Sequence, residues 1–369
     1  LSMKVLCMAL LLSLLATTGL AYPGQSGKGH ITHEIWVTDQ AKNQIYVVNG
    51  TTHKIEHTLT TDDGVGEHPH MLVFDNAGEY AFVANMKSGT MSVIRGSDKE
   101  IIKTIETEPG AHAALPTNKR DKVIVANTPS KSISIIETDV ENEEFTLLET
   151  VNIEKEYEVL QDKDRFPNPT PVCHFFTADD SHFYVTLGGG GLLVFETETL
   201  NLVKAYDKDV VAPHGCGLIL SPDETKMYAN AGSSTLGELY VFDTETHELL
   251  ETKDTLGYDA HGVAITPDEQ NLWVVNRASN NATIFDLETT EAIDQVSYVG
   301  DSPDLMKFSP NGQWAYVTTR GPEPATGTHA IAGDRPGLSI INTRSLKKVK
   351  LLEMPEGDIH GIDVRVIDR

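Results

Sequence analysis

Short apolar runs punctuated by turn residues recur through most of this chain. The clearest unit covers residues 261–296, HGVAITPDEQNLWVVNRASNNATIFDLETTEAIDQV. One apolar run meets the turn Thr266-Pro267-Asp268, and a second ends in Val275-Asn276. A third crosses Thr283 to Asp286, and a fourth follows a Leu-Glu-Thr-Thr turn. Four short antiparallel strands in about 40 residues make one blade of a propeller. MLVFDNAGEYAFVAN, KVIVANTPSKSISIIET, LILSPDETKMYANA, LYVFDTETHELLET and KFSPNGQWAYVTT are further copies. At the ends, one strand follows His360, and the segment from His33 to Thr60 supplies three strands with no opening strand of its own. Joining them completes a ring and removes exposed sheet edges. The pattern predicts an all-β, seven-bladed β-propeller over residues 33–369, its last blade closed by N- and C-terminal strands.

Two insertions break the repeat, at residues 153–171 and 320–336, and both fall on the face where the first strand of each blade begins. Long loops in a compact fold are more often functional than decorative. The V-A-N, V-V-N and Y-V-T strand endings and the S-P-D and T-P-D turns resemble the YVTN-type (YncE-like) repeat family, which implies the propeller fold and leaves function open.

The first strand of six blades opens with histidine: His70, His112, His174, His214, His261 and His360. Asp304 holds the seventh place, and His68 stands two residues before His70. Repeats bring equivalent positions to equivalent places, so these residues should gather around one axis. His70, His112, His261 and Asp304 share one spacing to the end of the second strand. His174 lies about two residues nearer its turn and His214 about two further away. Such an even offset keeps the side chain on the same side of its strand. Asn85, Asn127, Asn276, Arg277, Arg320 and the run Gly188 to Gly191 are expected at the same rim, the glycines admitting a ligand close to the backbone.

Composition narrows the setting. Residues 1–21, with Lys4 before an apolar core and small residues at Gly19 and Ala21, read as a secretory signal, followed by an N-terminal extension over 22–32. The expectation is a periplasmic or secreted protein without membrane insertion. The formal charge of -25 argues against nucleic acid as a partner. Cys173 and Cys216 would remain after processing. The compartment permits a disulfide, but the two stand at different levels of their strands, which disfavours one.

Imidazole suits copper, zinc, iron and nickel. Seven histidines exceed the four ligands of a closed zinc site, so more than one ion, or histidines supporting other histidines, is expected. The pattern resembles the propeller copper centre of nitrous oxide reductases, and more distantly that of thiocyanate dehydrogenases. That resemblance implies a multinuclear copper site on His68, His70, His112, His174, His214, His261 and His360. This chain has His-Pro-His where that family has adjacent histidines, and it carries no cupredoxin domain. The reading is a copper-dependent oxidoreductase acting on a small inorganic or sulfur- or nitrogen-containing molecule. Asp304, Arg277 and Arg320 are its catalytic candidates, and a separate electron-transfer protein is its partner. The alternative is a non-catalytic metal-binding, haem-binding or protein-interaction propeller. Haem is the second cofactor to consider, because haem-d1 nitrite reductases share the fold.

Overall fold

The computed structural model describes residues 32–326 and 331–367. The described chain forms seven four-stranded antiparallel sheets. In chain order, blade one covers residues 69–106, blade two 111–152, blade three 171–206, blade four 218–254, blade five 260–296 and blade six 303–353. Blade seven joins Ile359–Val366 to His33–Asp39, Gln44–Asn49 and Ile55–Leu59. The closure read from the sequence is thus observed, with Trp36 opposite Asp363 and Val37 opposite Ile362. The signal segment and almost all of the extension lie outside the described residues. No described helix is long and apolar enough to cross a membrane.

Strand periodicity explains how the blades stack. Successive side chains point to opposite faces, and in His33–Asp39 both faces are buried. Ile35 and Val37 pack with Ile359 and Ile362 against Tyr316, Leu338 and Ile340 of blade six. Trp36 points the other way, to Leu72, Phe74 and Val83 of blade one. Blades are also stapled near the axis by side chains of the second strand. Thr38 donates to the His70 carbonyl (2.6 Å), Thr318 to that of His360 (2.8 Å), Asn230 to that of His261 (2.7 Å) and Thr186 to that of Gly215 (2.8 Å). Each staple fixes backbone at or just before the start of the next blade.

The first insertion is held by its own apolar residues. Ile153, Leu160 and Phe166 are fully buried against Phe183 and Phe195 of blade three. A helical turn, Ile153–Glu156, and a 3-10 turn, Glu158–Gln161, precede the descent of Asn168 and Thr170 toward the axis. The glycine run serves this insertion. A Cβ on Gly188 would lie 2.4 Å from Thr170 Oγ1, and one on Gly189 would lie 2.6 Å from the Asn168 carbonyl. Those two glycines admit the inserted chain rather than only a ligand.

One expectation is corrected. Cys173 and Cys216 form a disulfide, with Cα atoms 5.0 Å apart. Counted from the equivalent pairs His174–Val185 and Leu218–Ala229, the two cysteines stand only one residue apart in register. Such a bond suits an oxidising compartment.

Removing residues 359–367 would strip Ile359 and Ile362 from the core and leave His33–Asp39 as an open sheet edge. We expect loss of the cooperative melt or self-association, seen by light scattering. A truncated monomer with unchanged melting would contradict ring closure as the source of stability.

Candidate metal centre

Strand register shows which residues occupy equivalent positions. Pro69 pairs with Asn85, Ala111 with Asn127, Pro171 with Leu187, Ala260 with Asn276, Pro303 with Thr319 and Asp39 with Ile359. The next residue on each opening strand is His70, His112, Val172, His261, Asp304 or His360. By the same count Cys216 holds the place in blade four. The residue after each second strand is Met86, Thr128, Gly188, Arg277, Arg320 or Gln40. These two rings supply most of the lining of an axial cavity of about 200 Å³, which His214, Asn168, Thr170 and Thr326 complete.

Of the seven predicted histidines, four therefore gather in the ring, and His214 reaches the cavity from a backbone with φ 66°. His68 sits before the ring with φ 52° and takes no part in the lining. His174 is corrected. Two residues beyond the ring position, it is the counterpart of Leu72, pairing with Val185 as Leu72 pairs with Val83. Its ring packs between Phe176 and Phe183 and lines a separate apolar cavity of about 110 Å³. Asn85 and Asn127 are also removed from the rim. Buried, they bond Ser92 and Ser134 and tie strand two to strand three, and Asn276 does the same through Thr283.

The carboxylate of Asp304 organises the ring. Fully buried, it faces four donor groups: Arg277 Nη1 at 3.1 Å and His261 Nε2 at 3.1 Å on Oδ1, with Arg320 Nη1 at 3.3 Å and His360 Nδ1 at 2.5 Å on Oδ2. Each guanidinium has a second carboxylate. Arg277 Nε donates to Asp259 at 2.7 Å, and Arg320 grips Asp358 at 2.6 and 2.9 Å. Burial alone would raise the Asp304 pKa, but the neighbouring histidines and arginines outweigh it and hold the group well below the ordinary value of 3.8. With the imidazoles neutral, three carboxylates against two guanidiniums leave one negative charge in the buried network, which favours a cation nearby.

This network decides tautomers. Gln40 Nε2 donates to Asp358 at 3.2 Å, so Gln40 Oε1 is the atom that meets His70 Nδ1 at 2.6 Å, and His70 Nδ1 must carry the hydrogen. Likewise Asp304 takes the hydrogen on His360 Nδ1. In neutral imidazole that leaves a lone pair on Nε2 of both residues. His360 Nε2 is buried without a hydrogen-bond partner among the described residues. The two rings stack with centroids 3.6 Å apart, and His70 Nε2 lies 2.9 Å from His112 Nε2. Burial keeps His70 and His112 neutral; the His112 pKa falls to about 3.

Gln40, Asp259 and Asp358 are the site residues that sequence reading missed. The signal was present, since Asp259 and Asp358 each stand two residues before a ring histidine and Gln40 directly follows a second strand.

Buried neutral histidines make stability depend on pH. Burial lowers the His174 pKa to about 4 from 6.5, so below pH 6.5 the unfolded chain takes up the proton and the folded chain does not. The contribution is fully present above 6.5 and is lost as pH falls toward 4, on the order of 3 kcal/mol. We expect the melting temperature of chelator-treated protein to fall steadily over that window, and less steeply in His174→Leu. Asp304→Asn should cost about 3 kcal/mol or more at pH 7. Equal melting of this variant and the parent would remove Asp304 from the centre of the network.

Comparison with known proteins places this geometry. A stretch of 115 residues, 30% of this chain, is 27% identical to antigen Lp49 of Leptospira interrogans, and it spans only about a quarter (25%) of that protein's length. Among solved structures, hydrazine synthase of Kuenenia stuttgartiensis superposes with a TM-score of 0.64 at 14% identity, over 84% of this chain and 92% of that one. Dihydro-heme d1 dehydrogenase NirN, solved in complex with DHE, gives a TM-score of 0.58 at 11% identity, over 89% and 74%. At such identities these two establish the shared fold alone. Residues 29–323 match the family described as lactonase, 7-bladed beta-propeller, and with most of the chain inside that match, the protein belongs to the seven-bladed lactonase propeller family.

Proposed function

We propose that this chain is a metal-binding propeller whose axial cavity holds a transition-metal centre, copper in the first instance, on Nε2 of His70, His112 and His360 with His261 beside them. The observation that carries the reading is the paired fixing of His70 Nδ1 by Gln40 and His360 Nδ1 by Asp304. A carboxylate or amide on one ring nitrogen is how metal-binding histidines are oriented, with the other nitrogen left for the ion. Two Nε2 atoms 2.9 Å apart also lie within the spread that one ion with bonds of about 2.0–2.1 Å permits. Asp304 lies within 4.8 Å of ligand atoms of both His261 and His360. Its oxygens already face four donors, so its role is to orient and to balance charge rather than to ligate.

A haem-binding reading has the fold relatives in its favour, one of which is named for a dihydro-haem substrate. The cavity argues for a smaller occupant. About 200 Å³ is below the roughly 300–1,000 Å³ of sites for drug-sized ligands, and the ring imidazoles touch one another. Arg277 and Arg320 are fully engaged by Asp259, Asp304 and Asp358, so an anionic substrate would meet the imidazoles instead. We propose redox chemistry on a small inorganic or sulfur- or nitrogen-containing molecule there, with a separate basic carrier docking on this acidic surface as electron-transfer partner. A non-catalytic metal-binding protein would use the same residues.

Protein purified without chelators or affinity metal, then copper-loaded and desalted, should carry at least one equivalent by elemental analysis. His70→Ala with His360→Ala should lower this at least tenfold, and His247→Ala on an outer turn should not. Less than about one tenth of an equivalent overturns the metal reading. Substrate-dependent dye reduction by the loaded protein, lost in His112→Ala, separates enzyme from binding protein. Lactone hydrolysis by metal-free protein, unchanged in these variants, would move the assignment to the chemistry for which the family is named.

A further inference from the structure

Beneath the histidine ring the axis is lined with sulfur. Cys173 and Cys216 join the inner strands of blades three and four, and both border the apolar cavity of about 110 Å³ with Met71, Val263, Leu305, Met306 and Ile362. Met71 Sδ lies 3.6 Å from Cys173 Sγ, and His112 Nδ1 lies 3.8 Å from the same sulfur. His112 thus faces the imidazole ring with one nitrogen and the sulfur group with the other.

We propose that reduction of the Cys173–Cys216 bond opens a second metal site, selective for Cu(I), built from Cys173, Cys216, Met71 and His112 Nδ1. Thiolate and thioether are the ligands that select Cu(I) over harder ions. In a tetrahedral site with metal–sulfur bonds of about 2.3 Å, ligand atoms stand roughly 3.5–3.8 Å apart, and the Met71 and His112 atoms already hold that spacing from Cys173 Sγ. A purely structural disulfide explains a link that pins the three-residue strand Leu218–Leu220. It gives no reason for a thioether and an imidazole nitrogen to converge on one sulfur. Apolar walls would shield the monovalent ion from water and from oxidation.

The chemistry requires a dithiol reductant. It delivers two electrons and two protons to the S–S bond and leaves as its own cyclic disulfide. The two new thiols then release their protons to solvent as Cu(I) binds both sulfurs. The proposal stands without an occupied axial centre, because three of its four ligands belong to no histidine set.

The test uses the full chain stripped of metal, treated with dithiothreitol without oxygen and desalted. Thiols are counted with a chromogenic aryl disulfide, and Cu(I) is titrated against bicinchoninate. We expect two thiols in a protein that still melts cooperatively, and one more tightly bound Cu(I) than in the oxidised form. X-ray absorption should place sulfur at about 2.2–2.3 Å from copper. Cys173→Ser with Cys216→Ser should lose the additional equivalent, and Met71→Leu, which conserves volume, should weaken it at least tenfold. Equal Cu(I) stoichiometry in both forms, thiols appearing only on unfolding, or an unaltered affinity in Met71→Leu would each overturn the site. Copper(II) loading of the oxidised protein, read separately, reports on the histidine ring alone.

Discussion

A single buried carboxylate, Asp304, sets the terms for the rest of this protein's interior. An anion with no exposure to water is tolerated only where donors surround it, and here the donors come from blades five, six and seven. Satisfying Asp304 fixes where Arg277 and Arg320 lie. Their remaining donors then demand Asp259 and Asp358, and Asp358 in turn orients Gln40 against His70. Removing any member leaves a charge stranded where solvent cannot compensate.

The directional consequence is more specific than charge balance. Hydrogens on the imidazoles of blades one and seven are drawn toward Gln40 and Asp304, and in the neutral rings the lone pairs are left on Nε2. A buried lone pair without a hydrogen-bond partner among the described residues, as on His360 Nε2, favours a positively charged neighbour. The fold maintains that arrangement with rigid strands whose backbones are stapled by Thr38 and Thr318.

Blade number and closure were legible in the sequence because both depend on strand periodicity and turn residues, which are local. The gathering of His70, His112, His261 and His360 was legible for a related reason, since equal spacing in a repeat becomes equal position in space. His174 misled because its two-residue offset, which keeps it on the same side of the strand, carries the imidazole past the ring position along a strand whose bulge is shared with the other blades. Its blade offers Val172 at the ring and sends the imidazole between Phe176 and Phe183. The cysteines looked mismatched because their blades number differently from the opening, although they stand one residue apart in register. Arg277 and Arg320 arrived where expected, but their partners lay in loops 18 and 38 residues away, marked only by standing two residues before a ring histidine. The glycine run was noticed for its conformational freedom, whereas its use is set by an insertion folding back on it.

His360 belongs to the strand that closes the ring, and Asp358 just before it meets Gln40 and Arg320 from opposite sides of the seam. The residues that form the cavity are therefore the residues that lock the molecule shut. Under mutation such a site cannot decay quietly. Substitutions that erase the constellation also weaken the circular fold, so purifying selection for stability alone would preserve it.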